Sequence, residues 1–372
     1  MAKDISVCQL ITALPYGGAE NMVRDLVSAS DRIQFSVGFF GDEDALVPEI
    51  EEAGVPVRHF GEEFRFDPRA VKRFNSYLRE KQIDILHLHL PYAQTLGRLI
   101  GSMNDVRIVS TQHNVPSNYH PVTRTTERLT RSLDDKTVAV SQGVERAFTG
   151  SAHEPGELDD DWCTVYNGIN VEKFAQKVKI SDGVNIREQL NIDQETPIFL
   201  NVGRYVPVKG QSNLIDAFAQ SKTDAHLIIV GHGELEKELR SEVKSHGVQD
   251  TVHITGRVPE VHPYYAAADA FVSGSKAEGH PITILEAMAA SLPVVAPDIP
   301  GVREAVHDSE TGILYPLGRV DSLLEAINEI AENEVQNQYG KAGYERAKEY
   351  FDVKTMSDSY TQIYRQLSKD SP

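Results

Sequence analysis

Short runs rich in aliphatic and β-branched residues alternate with amphipathic segments over almost all of the 372 residues. Strands that alternate with helices in this way form βαβ units, whose strands lie parallel in one sheet. The pattern therefore predicts an α/β fold with parallel, doubly wound sheets. The predicted strands are Ile5–Ile11, Gln34–Phe40, Val55–Phe60, Asp84–His89, Arg107–Thr111, Thr137–Val140, Thr164–Tyr166, Pro197–Gly203, His226–Val230, Thr251–Thr255, Ala270–Ser273 and Leu292–Ala296.

The alternation is interrupted once, near the middle of the chain. An acidic, turn-rich loop at Thr149–Asp161 is followed by a polar stretch at Val171–Glu195. Chains longer than roughly 250–300 residues usually divide into domains. We therefore predict an N-terminal domain at 1–172, a linker at 173–195 and a C-terminal domain at 196–352. Two such domains imply a cleft, and ligands of such sheets bind at the carboxyl ends of the strands.

The helical segments fall between the predicted strands and after the last of them. They are Ala19–Ser28, Pro68–Lys81, Gln94–Met103, Thr125–Leu133, Gln211–Gln220, Glu234–Ser245, Ile282–Ala290, Asp321–Glu332, Gln336–Tyr350 and Val353–Leu367.

Composition excludes several classes of function. The net charge is -18, and such an acidic surface repels nucleic acid. Cys8 and Cys163 form no C-x-x-C pattern, so buried free thiols in a reducing compartment are expected. Asp4 interrupts any signal peptide, and no apolar stretch reaches the ~18 residues of a membrane span. A cytoplasmic protein is predicted, with peripheral contact at the inner membrane face left open.

Residues 277–290, AEGHPITILEAMAA, hold two glutamates eight positions apart, Glu278 and Glu286. Pro281 suits the first turn of a helix, and free N–H groups over Gly279–Thr283 would attract an anion. Glu286, one turn further on, could accept hydrogen bonds from a diol. An ordinary amphipathic helix with two solvated glutamates is the alternative. The predicted anion-binding residues are Gly279, His280, Pro281, Ile282 and Thr283.

This string resembles the E-x7-E signature of glycosyltransferase family 4, whose members have the GT-B fold. The match continues through Leu292–Val302, LPVVAPDIPGV. The resemblance implies two Rossmann-like domains that face each other across a cleft, with a final helix at 353–368 packed back on the first domain. It also implies a retaining transferase that uses a nucleotide-diphosphate sugar, UDP- or GDP-linked, and requires no metal.

Four further stretches carry the same resemblance, three of them with residues expected in the site and the fourth, VYNGIN, at the end of the first domain. Val202–Gly210, VGRYVPVKG, places Arg204 and Lys209 after a strand, where two cations can neutralise a diphosphate leaving group, although surface charges are the alternative. His113, within STQHN, matches a histidine whose backbone carbonyl lies near the anomeric carbon. Gly17 and Gly18, within PYGGAE, would let the backbone approach a phosphate or sugar closely.

The resemblance also assigns roles within the site. His113, Glu278, Arg204 and Lys209 are the expected catalytic residues, and Glu286 is expected to hold the ribose. Asn170 stands where the family usually has Asp, in the VYNGIN segment, and is interpreted as a structural turn.

The acceptor is expected to be a saccharide or lipid-linked saccharide of surface glycan synthesis. Anionic lipid or a lipid-linked pyrophosphate could contact the basic residues of Pro68–Lys81, although a solvated helix face is the alternative. These residues are Arg69, Lys72, Arg73, Arg79 and Lys81.

The sequence also offers a possible metal site and two alternative functions. His87 and His89 share one face of a strand, but without a second Cys/His cluster a structural or cleft-lining role is favoured over zinc. A nucleotide-sugar epimerase of the same fold and a non-catalytic nucleotide-sugar-binding protein are the alternative functions.

Overall fold

A computed structural model describes residues 5–30, 32–61, 67–221, 223–331 and 333–369, without the side chains of 333–335 and 369. The chain divides into two compact units. The first unit holds the residues up to Gly168 and those from Val353 onward, and the second unit is Ile169–Asp352. Each unit is built around one parallel sheet.

The first unit contains a seven-stranded sheet in the order β3-β2-β1-β4-β5-β6-β7, with every pairing parallel. Its strands are β1 Ser6–Ile11, β2 Gln34–Phe39, β3 Val57–His59, β4 Ile85–His89, β5 Arg107–Gln112, β6 Lys136–Ala139 and β7 Trp162–Thr164. Its helices are α1 Gly18–Ala29, α2 Val47–Glu52, α3 Pro68–Glu80, α4 Pro91–Gly101, α5 Pro121–Thr130, α6 Gln142–Thr149 and, at the end of the chain, α16 Val353–Lys369.

The second unit contains a six-stranded sheet in the order β10-β9-β8-β11-β12-β13, again parallel throughout. Its strands are β8 Ile198–Val202, β9 His226–Val230, β10 Val252–Gly256, β11 Ala270–Val272, β12 Val294–Pro297 and β13 Gly312–Tyr315. Its helices are α7 Val171–Ile180, α8 Gly183–Gln189, α9 Gln211–Gln220, α10 Glu236–His246, α11 His262–Ala267, α12 Ile282–Ala289, α13 Pro300–Ala305, α14 Val320–Ile330 and α15 Asn333–Tyr350.

The predicted α/β class with two Rossmann-like sheets is confirmed. Each predicted strand is present, with ends displaced by at most two residues. The central strands are buried on both faces, as expected for parallel sheets covered by helices. Strand β13 and several short helices, among them α6 and α13, are not predicted from the sequence.

The prediction of an irregular linker at 173–195 is wrong, because most of this segment forms helices α7 and α8 within the second unit. Phe174 of α7 packs its ring 5.0 Å from the ring of His262 and 5.2 Å from that of Tyr265. The Asn170 side chain accepts a hydrogen bond from the Lys173 backbone N–H at 3.0 Å, which caps α7. Sparse apolar residues, once buried against α11, are enough to hold both helices.

Both cysteines lie buried in the first unit as free thiols, as predicted. Burial raises the pKa of the Cys8 and Cys163 thiols to about 12, so neither is a ready nucleophile. Within the described ranges, every helix is too short or too polar to cross a membrane.

Candidate active site

The predicted cationic loop and the glutamate loop follow neighbouring strands of the second unit. β8 lies between β9 and β11. The strands that follow β8 in the sequence therefore add first on one side of it, as β9 and β10, and then on the other side, as β11 to β13. The carboxyl ends of strands at such a switch point are where open α/β sheets bind ligands. Arg204 and Lys209 follow β8, and Glu278 follows β11.

A contact between two glycines holds these loops together. Gly210 has a φ of 62°, and a side chain there would meet the Gly274 carbonyl oxygen at 2.1 Å from its Cβ. A Cβ on Gly274 would likewise lie 2.5 Å from the Gly210 oxygen. The Lys276 N–H also donates to the Val208 carbonyl at 2.7 Å. Only glycine permits this backbone approach, which sets the spacing of the side chains beyond it.

Lys209 and Glu278 meet directly. The Lys209 Nζ lies 2.6 Å from Glu278 Oε1, with 23% and 13% of the two side chains exposed. The same carboxylate oxygen accepts a hydrogen bond from the Ser275 hydroxyl at 2.6 Å. The ammonium is therefore held at the end of the sheet by a charge-assisted hydrogen bond and can still reach a ligand.

Arg204 is exposed, and its backbone rather than its side chain is fixed. Gln211 Nε2 donates to the Arg204 carbonyl at 3.0 Å, and the neighbouring Tyr205 N–H donates to the His232 carbonyl at 2.8 Å. Tyr205 is fully buried. Among the described residues the Arg204 guanidinium has no ion-pair partner, so its charge is available to an anion.

The helix that carries the second glutamate begins at Ile282, as predicted. Pro281 is the N-cap of α12, not its first helical residue, because its φ of -80° and ψ of 106° are extended. Its carbonyl accepts from the Ile284 N–H at 3.1 Å. The N–H groups of Ile282 and Thr283 therefore precede the first intrahelical bond and point out of the helix start.

Gly279 and His280 form a buried support behind this helix start. The Gly301 backbone of α13 packs so closely that a Cβ there would lie 2.2 Å from the Gly279 oxygen. His280 is buried with its ring 5.0 Å from that of Phe351, and burial lowers its pKa to about 3. A neutral, packed imidazole supports the loop.

Glu286 lies half-buried on the same face of α12 as Thr283. The Tyr265 hydroxyl donates to Glu286 Oε2 at 2.9 Å and also lies 3.3 Å from the Thr283 carbonyl oxygen. Burial, together with the Glu286 charge, raises the pKa of Tyr265 well above its ordinary value. Tyr265 stays a donor and orients the carboxylate.

Gly17 and Gly18 occupy the start of the first helix of the first unit. Gly17 is the extended N-cap of α1, with φ -158°, and Gly18 is its first, exposed residue. A Cβ on Gly17 would lie 2.3 Å from a carboxylate oxygen of Glu20. The missing side chain leaves room for that carboxylate beside the start of the helix.

His113 directly follows β5, half-buried, and its Nε2 lies 3.1 Å from His89 Nδ1. The protein surroundings desolvate the imidazole and lower its pKa to about 4. Both ring nitrogens of His87 and of His89 hydrogen-bond to protein groups.

Several residues that position this site are not predicted from the sequence. Ser275 lies three residues before Glu278, and a polar residue so close in a strand-end loop is a signal that could have been used. Tyr265 and Gln211 act across the fold and carry no local signal.

One cluster of potential metal ligands occurs in the part of the chain that the structure describes. It joins Asp216 of α9 with Glu242 and His246 of α10. His246 Nε2 lies 3.0 Å from Asp216 Oδ1 on the protein surface. These residues are not among those predicted for the donor site, and metal independence stays a prediction.

Comparison with known proteins matches both units. Residues 16–173 match Glycosyltransferase Family 4, and residues 184–346 match Glycosyl transferases group 1. The chain belongs to glycosyltransferase family 4. It is therefore an EC 2.4 class enzyme of GT-B fold that uses nucleotide sugars.

Relatives of this family 4 glycosyltransferase differ in what their names describe. A phosphatidyl-myo-inositol mannosyltransferase of Mycobacterium leprae is 29% identical over 87% of this chain and 86% of its own. A Campylobacter jejuni N-acetylgalactosaminyltransferase, named for a diphospho-undecaprenol substrate, is 25% identical over 94% and 96%. The crystal structure of Anabaena Alr3699/HepE in complex with UDP-glucose is 25% identical, with a TM-score of 0.84 over 98% of this chain and all of that chain.

Proposed function

We propose that this protein transfers a sugar, with retention of anomeric configuration, from a UDP- or GDP-sugar to a saccharide or lipid-linked saccharide in surface glycan or polysaccharide synthesis. The observation that carries the proposal is the Lys209–Glu278 contact of 2.6 Å at the switch point of the second sheet. It holds a cation where a diphosphate leaving group would gain negative charge. The UDP-glucose complex named for the Anabaena relative supports a uridine donor.

The predicted charged residues and the start of α12 take the following roles in this reaction. Lys209 and Arg204 neutralise the departing diphosphate, which also meets the N–H groups of Ile282 and Thr283. Glu286, oriented by Tyr265, accepts hydrogen bonds from the ribose hydroxyls. Glu278 orients Lys209 and contacts the donor sugar.

His113, Gly17 and Gly18 of the first unit contact the sugar end of the donor. The acceptor hydroxyl attacks the face from which the diphosphate leaves and gives its proton to that phosphate. The reaction needs no metal, since fixed cations carry the charge.

A lipid-linked acceptor is favoured by the names of two relatives, which describe a phosphatidylinositol and an undecaprenol diphosphate. The basic surface of α3 is smaller than its sequence indicates. Arg73 donates through Nε to the Phe60 carbonyl at 3.0 Å and so belongs to the fold. Exposed Arg69, Lys72 and Lys81 are the cations left for an anionic membrane surface, because Arg79, although exposed, donates through Nε to Asn104 Oδ1 at 2.8 Å.

The test is a panel of UDP-, GDP- and ADP-sugars, first by thermal shift and then in transfer assays with saccharide and lipid-linked acceptors. We expect one donor to stabilise the protein and to give an acceptor-dependent product, with the anomeric configuration of the donor by NMR. Conversion of the donor without acceptor would identify an epimerase. Binding without any turnover would identify a sugar-nucleotide-binding protein.

A further inference from the structure

A chain of hydrogen bonds runs through the interior of the first unit from His113 to the final helix. His113 Nε2 lies 3.1 Å from His89 Nδ1, and His89 Nε2 lies 2.7 Å from Gln9 Oε1. Gln9 Nε2 donates to the Tyr364 hydroxyl at 3.0 Å. Tyr364 lies 2.6 Å from His87 Nδ1.

The chain of hydrogen bonds continues past His87 and ends at Tyr360. His87 Nε2 lies 2.7 Å from the Thr111 hydroxyl, which lies 3.0 Å from the Tyr360 hydroxyl. All of these side chains except His113 are fully buried.

The sheet and the final helix bring these groups together. Gln9 lies on β1, His87 and His89 on β4, and Thr111 on β5, three strands that are neighbours at the switch point of the sheet. His87 and His89 share a face because side chains two apart in a strand point the same way. Tyr360 and Tyr364 share a face of α16 because they are four residues apart.

The three imidazoles are neutral at neutral pH, because burial lowers the pKa of His87 and His89 well below the ordinary value and that of His113 to about 4. A neutral imidazole has one N–H donor and one acceptor nitrogen. The protons of the chain are therefore coupled, and fixing one of them fixes the next.

The Gln9 amide sets the direction in which the hydrogen bonds of this chain are donated. Its oxygen must accept from His89, so His89 carries its proton on Nε2 and accepts at Nδ1 from the Nε2–H of His113. On the other side, the amide N–H group donates to Tyr364, whose own hydroxyl proton goes to His87 Nδ1. His87 then donates from Nε2 to Thr111. Every bond from His113 to Thr111 points the same way.

We propose that this directional chain holds His113 as its Nε2–H tautomer and leaves Nδ1 as the acceptor nitrogen, so that Gln9, His89 and Tyr364 are positioning residues for His113. In the structure Nδ1 forms no hydrogen bond with any described residue. The catalytic consequence rests on the proposed function, in which His113 faces the donor sugar. The tautomer itself does not depend on it.

The first test is long-range ¹H–¹⁵N NMR of the histidine rings of the whole protein at neutral pH, with the three signals assigned from His→Gln variants. We expect His113, His89 and His87 all to carry the proton on Nε2. A proton on His113 Nδ1, or protons on different nitrogens of His89 and His87, would overturn the proposal.

The second test compares two tyrosines of the same helix. Tyr364→Phe removes the hydroxyl that joins Gln9 to His87 in the chain of hydrogen bonds. The Gln9 amide can then reverse, and both tautomers of His113 should appear. We expect kcat to fall about fivefold or more, with a smaller change in the donor KM. Tyr360→Phe also removes a buried hydroxyl but lies beyond Thr111, so the His113 tautomer and kcat should stay as in the wild type.

Gln9→Met, which keeps the side-chain length without the amide, replaces Tyr364→Phe if that variant does not fold. An unchanged His113 tautomer in the chain-cutting variant would overturn the positioning role, as would equal effects of the two tyrosine variants. If the wild type transfers no sugar, the proposed function fails, and the NMR tautomers alone decide this inference.

Discussion

Replacing Lys209 by alanine gives the sharpest test of the proposed site. The ammonium is already paired with Glu278 at 2.6 Å, so a bound diphosphate must share it with that carboxylate. Two isolated charges 4 Å apart near a protein surface would interact by about 4 kcal/mol. The shared cation should contribute less, about 1.5–3 kcal/mol, the range for a hydrogen bond to a charged group.

Lys209→Ala should therefore lower kcat/KM for the donor by about ten- to 150-fold, with Lys237→Ala on the exposed face of α10 as the control. Glu278→Gln should strengthen binding of the free nucleoside diphosphate. It removes the charge that competes for Lys209, so the Kd should fall while kcat also falls.

Initial rates at low donor concentration and calorimetric titration with UDP and GDP measure these effects. EDTA should leave wild-type transfer unchanged. Equal kcat/KM in Lys209→Ala and wild type would refute the role of the cation. So would complete loss of transfer in EDTA that Mn²⁺ restores.

Three further predictions follow from the described contacts. Glu286→Gln should weaken binding of the free nucleoside diphosphate more than it changes the choice of sugar, and Tyr265→Phe should weaken that binding to a smaller degree. Titration with UDP and GDP measures both effects, and unchanged affinity of Glu286→Gln would remove Glu286 from the site. The hydrogen bond to Glu145 raises the pKa of His153, so its stabilisation is complete below about pH 6.5 and is lost as pH rises through the folded-state pKa. The wild type should therefore lose more unfolding free energy than His153→Gln between pH 6 and pH 8 in urea titrations, and equal losses would contradict this. Cosedimentation with anionic liposomes should be weak, salt-sensitive and reduced by Lys72→Glu, and absence of pelleting at any salt would end the membrane proposal.

Local patterns in the sequence were enough for the fold class and for most of the candidate donor site. Buried parallel strands need continuous apolar runs, so β1, β4, β8 and β9 could be recognised without any knowledge of their partners. The segment from Glu278 to Glu286 could be recognised because a strand-end loop and the helix start that follows it are contiguous in the chain.

Elements with few apolar residues could not be predicted, because their burial depends on distant partners. Helix α7 is stable where Phe174 meets His262 and Tyr265, about 90 residues further along the chain. The same reason applies to Arg73, whose guanidinium is committed to a backbone carbonyl that no charge pattern reveals.

The sequence by itself determined which residues carry charge and where strands end, and these follow from composition and periodicity. Only the tertiary structure decided that Lys209 contacts Glu278, that Tyr265 orients Glu286, and that a glutamine on β1 connects three histidines to the final helix. Such contacts join groups from 21 to 355 positions apart. A hydrogen bond forms only when its donor and acceptor are placed to within a few tenths of an ångström. The packing of the whole unit sets those positions, and no local sequence pattern encodes them.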